Sequence, residues 1–295
     1  LNVLLPSLYF GVSVVARRFD RFDPEAALHL MSRMQVRNAF IPPTALRMLR
    51  AIHAAGRRYN VDLRTLASGG ESLGAETYAW GREAFGLTIN EFYGQTECNL
   101  VLASNNAMGV SRAGAIGKAV PGHVCDVIRP DGTRCEADEP GQIAVLRPDP
   151  VMFLGYWNNE KATEGKFIGD WMTTGDQGRR DADGYVFFFG RDDDVITSSG
   201  YRIGPSEIED CLLRHPAVEI AAAVGKPDAI RGEIVKAFIV PKPGFQPSAD
   251  LAADIQTFVR TRLSAHEYPR EVAFIDRLPL TTSGKVIRRE LRARG

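Results

Sequence analysis

Three times between residues 22 and 95, a helix-patterned stretch gives way to a short apolar run. In "FDPEAALHLMSRM", Asp23 is placed to cap a helix and Pro24 suits its first turn. "VRNAFI" follows as a short buried strand. Thr44 is expected to cap "ALRMLRAIHAAG", with Gly56 as its stop. "LRTLASGGE" reads as a strand and a glycine turn, "LGAETYAWGREAF" as a helix, and "LTINEFYG" as a strand. This alternation is the strongest constraint in the chain. Strands separated by helices pair in parallel and need those helices to cover the sheet.

After about residue 118 the pattern changes. "HVCDVI", "GQIAVL" and "YVFFFG" are short apolar runs punctuated by "RPDGT", "DEPG" and "DADG", which are turn chemistry. Beyond Gly190 come a polar loop, a hairpin, a capped helix, the strands "VEIAAAVG" and "IVKAFIVP", a helix near 249–264 and the strand "EVAFID". The expected fold class is therefore α/β. A partial N-terminal domain has parallel βα layers (1–118) and a small β-rich subdomain (119–190). A compact, mobile α+β C-terminal domain (191–295) follows.

Composition removes several function classes. Thirty-six Lys and Arg balance 36 Asp and Glu, so no global basic field favours nucleic acid. The cysteines, Cys98, Cys125, Cys135 and Cys211, are scattered, which predicts reduced thiols and a cytoplasmic protein. The five histidines lack zinc-ligand spacing. No apolar run approaches the ~18 residues of a membrane span. "LNVLLPSLYFGVSVVARRFD" has the texture of a domain interior, so the chain is expected to be part of a longer one. Oligomeric state is not fixed by the sequence.

Several stretches carry candidate chemistry. "NEFYGQTE" ends a strand, where open α/β sheets place ligands. Tyr93 offers a flat face, Gly94 a close backbone approach, Thr96 a phosphate donor and Glu97 an oxygen ligand for Mg²⁺. The stretch equally fits a strand end with polar turn residues. The glycines of "SGGESL" cradle a ligand or form a turn. Asp176 in "WMTTGD" suits ribose hydroxyls or an Asx turn. In "GRDDDVITSSGYRIGPSEIE", three successive acids repel one another at the domain boundary. The tail from Arg277 holds six Lys or Arg and one acid, which makes a solvated face or a local anion site.

Together, in this order, "SGGESL", "EFYGQTE", "WMTTGD", "GRDDDVITSSGYRIGPSEIE" and "PLTTSGK" resemble the adenylate-forming superfamily of acyl-CoA synthetases, adenylation domains and luciferases. The medium-chain acyl-CoA synthetases are the most similar group. The resemblance implies activation of a carboxylic acid by ATP to an acyl-adenylate, followed by transfer to the thiol of coenzyme A. It implies that Gly70, Glu71 and Ser72 border adenine, and that Tyr93 stacks on it within the nucleotide-binding run Glu91, Phe92, Tyr93, Gly94, Gln95 and Thr96. Thr96 would contact the α-phosphate, Glu97 would position Mg²⁺, and Asp176 with Arg191 would hold the ribose. Ser199, Gly200 and Tyr201 would line the pantetheine path, with Arg202 facing the reacting groups. Arg231, Arg260, Tyr268, Pro269 and Arg270 would hold the CoA nucleotide. Asp193 would be the hinge of a domain rotation, and Lys285 would bridge carboxylate and α-phosphate during adenylation only.

One departure stands out. The superfamily's phosphate loop, T-S-G-T-T-G-x-P-K, has no counterpart here; in relatives it lies upstream of the region matched. The 295 residues alone are therefore expected to be inactive. Gly94 stands where acetate-specific relatives carry Trp, which implies an acid longer than acetate, or a backbone need for glycine. The rival readings are an enzyme that loads a carrier-protein phosphopantetheine and a non-catalytic nucleotide-binding module.

Overall fold

The computed structural model describes residues 3–20, 22–264, 266–281 and 286–294. Its strands form three five-stranded sheets. The first has β1 (Asn38–Phe40), β2 (Thr65–Gly69) and β3 (Asn90–Gln95) in parallel, as the βα alternation requires. β4 (Asn99–Ala103) and β5 (Lys118–Ala119) extend it antiparallel. The helices of this region are α1 (Leu4–Tyr9), α2 (Pro24–Arg33), α3 (Pro43–Arg50), α4 (Ala55–Arg58) and α5 (Ala75–Phe85). Leu28, Leu46, Leu49, Leu66, Leu73 and Ile89 are fully buried between α2, α3, α5 and the parallel strands.

Asp23 caps α2 as expected, accepting from the Ala26 N–H at 3.0 Å. Thr44 does not cap α3. Pro42 takes the N-cap position and Pro43 the first helical one, where a missing N–H costs nothing. That frees the Thr44 hydroxyl to donate to Glu71. Gly56 does not stop α3 either; α3 ends at Arg50 and Gly56 lies inside α4. A Cβ there would sit 2.1 Å from the carbonyl oxygen of Ala84, so the glycine serves the contact between α4 and α5.

The second sheet is antiparallel. It contains β6 (Cys125–Ile128), β7 (Gly141–Leu146), β8 (Phe167–Ile168), β9 (Trp171–Arg180) and β10 (Val186–Arg191). Its core residues Val127, Ile143, Val145 and Met172 pack in one cluster with Val101 and Leu102 of β4. The β-rich region is thereby fused to the first sheet. The short helix α6 (Glu160–Glu164) precedes β8, capped by Asn159.

The third sheet comprises β11 (Ile196–Ser198), β12 (Tyr201–Ile203), β13 (Val218–Asp228), β14 (Gly232–Pro241) and β15 (Glu271–Phe274), with β15 parallel to β14. Its helices α7 (Pro205–Leu212) and α8 (Ala249–Arg260) pack on it around a separate core that includes Ile203, Ile208, Leu212, Val235, Ile255 and Val259, while α9 (Arg288–Arg292) packs through Leu291 in another cluster with Ala222, Val224, Phe238 and Leu278. The expected cap of α7 is missing: Gly204 precedes it and no side chain caps it, while Pro205 starts the helix. The four cysteines are buried free thiols.

Candidate active site

A cleft of about 370 Å³ opens between the first sheet and the third-sheet region. One wall is the turn after β2. β2 and β3 run so close that a Cβ on Gly69 would lie 2.6 Å from the carbonyl of Phe92, and Gly70 follows at φ +92°. Glu71 Oε2 accepts from Thr44 Oγ1 at 2.7 Å and lies 3.4 Å from Arg47 Nη1. Arg47 Nη2 donates to the Ser72 carbonyl at 2.9 Å. The Leu73 N–H donates to Glu91 Oε1 at 3.1 Å. Burial pushes the Glu91 carboxyl up to about 7, against that N–H bond and the charge of Arg47.

A second wall is β10, through Phe188 and Arg191. The Tyr93 ring lies 6.4 Å from Phe188, and its hydroxyl donates to Asp176 Oδ2 at 2.6 Å. Asp176 pairs with Arg191 across the β9–β10 ladder. Burial raises the Asp176 carboxyl above its usual range, while the Tyr93 hydroxyl, Arg191 and Lys166 oppose that rise. Phe92 stacks on Phe40, centroids 6.1 Å apart. Gln95 donates to the Thr174 carbonyl at 3.0 Å and accepts from Lys166 at 3.3 Å. Thr96 is exposed in the turn after β3. Glu97 Oε1 accepts from Tyr156 at 2.6 Å. Burial raises the Glu97 carboxyl, but the Tyr156 hydroxyl, the backbone and the charges of Lys166 and Arg191 outweigh it, so it lies below its usual range. Gly94 sits at a bulge where a Cβ would meet the Asn99 carbonyl oxygen at 1.6 Å, which gives that glycine a backbone reason of its own.

The third wall comes from the C-terminal region, including Ile220, Val240, Leu278, Leu280 and Val286. Leu280 and Val286 form an isolated antiparallel bridge. Lys285 lies between them in sequence and is outside the described residues, as is the side chain of Arg202; the Arg202 backbone pairs with Thr197.

The three acids that repel one another in sequence find separate partners. Asp192 Oδ2 accepts from Gln142 at 2.8 Å. Asp193 Oδ1 accepts from Arg191 Nε at 3.1 Å, and its carbonyl from Arg292 at 2.7 Å. Asp194 lies between Arg292, at 2.5 Å, and Arg288, at 3.7 Å. Arg288 Nη2 also reaches both Glu209 oxygens, at 2.7 and 2.8 Å.

Tyr93, Thr96, Glu97 and Asp176 do not line this cleft, and neither do the remaining sequence-derived residues, which belong to the third-sheet region. Ser199 and Gly200 turn the β11–β12 hairpin at φ +51° and +83°. The Ser199 N–H donates to the Arg231 carbonyl at 2.9 Å. Tyr201 stacks on His266 at 4.0 Å. Tyr268, next to buried Pro269, has the guanidinium of Arg270 at 4.9 Å and that of Arg260 at 5.9 Å from its ring. Sequence reasoning missed Thr44, Arg47, Tyr156, Lys166 and Arg288. Each acts through a partner at least 24 residues away, apart from the bond of Lys166 to the Thr173 carbonyl. No group of three or more His, Cys, Asp or Glu able to hold a metal occurs among the described residues. None of their helices is long and apolar enough to cross a membrane.

A sheet whose parallel strand ends face a separate α+β region across a cleft fits the architecture of adenylate-forming enzymes, and the comparisons with known proteins agree. Residues 1–157 match the AMP-binding enzyme family and residues 207–285 its C-terminal domain. The chain belongs to the AMP-binding enzyme family. It is 39% identical over 276 residues to the acetyl-coenzyme A synthetase of Bacillus subtilis, covering 92% of this chain and 48% of that protein. It is 38% identical over 287 residues to a mitochondrial acyl-coenzyme A synthetase, ACSM3, of Rattus norvegicus, covering 96% and 49%. The anthranilate CoA ligase AuaEII in complex with anthranoyl-AMP matches at TM-score 0.87 and 30% identity, over 96% of this chain and 55% of that one. The chain thus spans about half the length of these relatives.

Proposed function

We propose that the protein carrying this chain is an AMP-forming acid–thiol ligase that activates a carboxylic acid with ATP and passes the acyl group to coenzyme A. The observation that carries this reading is the composition of the cleft. The adenine-type turn 70–72 faces Leu280 and Val286, the two residues that bracket Lys285. In this reading Gly70, Glu71 and Ser72 border adenine, Tyr93 packs beside it, and Asp176 and Arg191 take the ribose hydroxyls. Binding would exchange the Tyr93 hydroxyl on Asp176 for a ribose hydroxyl.

Mg²⁺ typically uses one or two carboxylates together with substrate phosphates, not a full protein cage. Glu97 fits that role: it is a hard oxygen donor held in its ionised form by Tyr156 and Lys166. When bound, the cation would neutralise phosphate charge. Thr96 lies one residue away and would donate to the α-phosphate. Lys285 would place a cation between the carboxylate and the α-phosphate, where negative charge builds.

Residues 191–295 would be a mobile domain with its hinge at Asp193. After rotation, the hairpin at Ser199, Gly200 and Tyr201, with Arg202, would face the cleft, and Arg231, Arg260, Tyr268, Pro269 and Arg270 would hold the CoA nucleotide. The acid is proposed to be medium-chain or aromatic, longer than acetate.

The whole protein should release pyrophosphate from ATP with such an acid and then consume CoA. Lys285→Ala should lower acid-dependent ATP–pyrophosphate exchange by ~10²–10³-fold and largely spare thioester formation from supplied acyl-adenylate. Absence of both half-reactions from the wild-type protein, across a panel of acids, would sink the reading.

A further inference from the structure

Helix α5 starts without a cap of its own. Its N-cap is Gly74, with no side-chain hydrogen bond from any local residue. A helix N-terminus leaves backbone N–H groups unsatisfied unless a side chain takes them. Here the acceptor comes from 135 residues away: the Ala75 N–H donates to Asp210 Oδ2 at 3.3 Å, from the second turn of α7. Gly74 is shaped for this visitor. It lies at φ +77°, and a Cβ on it would sit 2.4 Å from Asp210 Oδ1.

The same junction carries further contacts. Arg214 Nε lies 3.3 Å from Glu76 Oε1 while its Nη2 donates to Asp210 at 3.0 Å. Arg50 Nη2 donates to the Leu213 carbonyl at 3.3 Å, and Arg50 Nη1 lies 3.7 Å from Glu76. Two carboxylates therefore bracket one short piece of backbone. Glu91, from the first sheet, takes the Leu73 N–H, and Asp210, from the C-terminal region, takes the Ala75 N–H. That piece continues directly from the turn 70–72.

We propose that Asp210 is a positioning residue that caps α5 across the domain boundary only in the closed arrangement, so that docking of the C-terminal region is read directly by the adenine-side turn. The inference rests on the ligase reading above for its consequence in catalysis. The cap itself is a structural contact and stands apart from that reading. Any rotation that carries α7 away from α5 removes the acceptor and leaves the start of α5 without one. The closed state is then favoured by a bond that the open state lacks, and the turn that borders the nucleotide is ordered when the adenylation face is in place.

The test uses the whole protein with Asp210→Ala and Asp210→Asn. Loss of an N-cap acceptor shifts such an equilibrium by about 2- to 30-fold, whereas Asn keeps an oxygen able to cap. Asp210→Ala should slow acid-dependent ATP–pyrophosphate exchange by that factor, leave acyl transfer from supplied acyl-adenylate unchanged, and speed amide hydrogen exchange in the peptide 72–78. Asp210→Asn should restore most of both losses. Unchanged amide exchange in Asp210→Ala overturns the cap whatever the catalytic result. Faster exchange with equal loss in both half-reactions, or with no loss in either, overturns the positioning role. A wild-type protein with neither half-reaction refutes the ligase reading, and amide exchange then decides the cap alone.

Discussion

The third-sheet region carries arginines on two surfaces and treats them in opposite ways. On the cleft side, Arg288 and Arg292 are drawn in against Asp194, and Arg288 also grips Glu209. The Arg288 side chain keeps 19% of its exposure. On the other surface, Arg270 is exposed and Arg260 likewise, and their guanidinium groups lie near the Tyr268 ring. The first arrangement spends its donors on internal carboxylates and leaves little for a ligand. The second keeps donors toward solvent, as a surface for a charged ligand must. In this conformation one face has its cations paired with carboxylates and the other keeps them exposed.

The largest effect on stability should come from breaking the closed face. Removing one member of a buried ion pair strands the others and typically costs about 3–5 kcal/mol. Arg288→Ala leaves Glu209 and Asp194 without that cation, so a loss of this size is expected by urea unfolding. Arg288→Lys keeps the charge but not the fork that spans two carboxylates, and should fall between. A loss below about 1 kcal/mol, the scale of an exposed pair, would erase the contrast between the surfaces.

Next is a carboxyl whose ionisation burial opposes more than its partners favour it. The Glu91 carboxyl is raised from 4.5 to about 7. Below pH 4.5 it is neutral in both the folded and unfolded chains. As pH rises to 7, the unfolded chain ionises first, so folding stability falls through this window and levels off above it. The full shift corresponds to about 3 kcal/mol. Glu91→Gln keeps an oxygen for the Leu73 N–H and should remove this slope. Equal slopes in the two proteins between pH 5 and 7 would show that Glu91 ionises freely in the fold.

The same contrast explains what could be read from sequence. Local chemistry was legible: Asp23 caps α2, the βα alternation gives β1 to β3 in parallel, and the turn residues of the β-rich region separate antiparallel strands. Thr44 misled because a capping residue type beside a helical pattern is a local signal, while the Pro42-Pro43 pair settled the start and Glu71 claimed the hydroxyl. Gly56 misled for a similar reason, since its need for no side chain comes from Ala84, 28 residues on. The site motifs were found as stretches, but their partners were not. Tyr93 reaches Asp176 over 83 residues, Asp210 reaches Ala75 over 135, and Arg292 reaches Asp194 over 98. No spacing rule connects such pairs, and folding alone brings them within hydrogen-bond range.

The smallest effect on stability belongs to the open face. The Arg270 side chain makes a 3.0 Å bond to the Tyr268 hydroxyl in an exposed setting, while its backbone N–H on Val235 does not depend on the side chain. Arg270→Ala should therefore change unfolding free energy by no more than about 0.5 kcal/mol. If Arg270 has the proposed role at the CoA nucleotide, its effect should appear in ligand binding instead. Losing one charge-assisted contact to a phosphate should weaken CoA binding about tenfold or more at low ionic strength, and the deficit should shrink as salt screens the exposed charges. Calorimetric titration of CoA into wild-type and Arg270→Ala protein at two salt concentrations reads both effects. A stability loss comparable to that of Arg288→Ala, with CoA affinity intact, would invert the comparison and make the outer arginines structural.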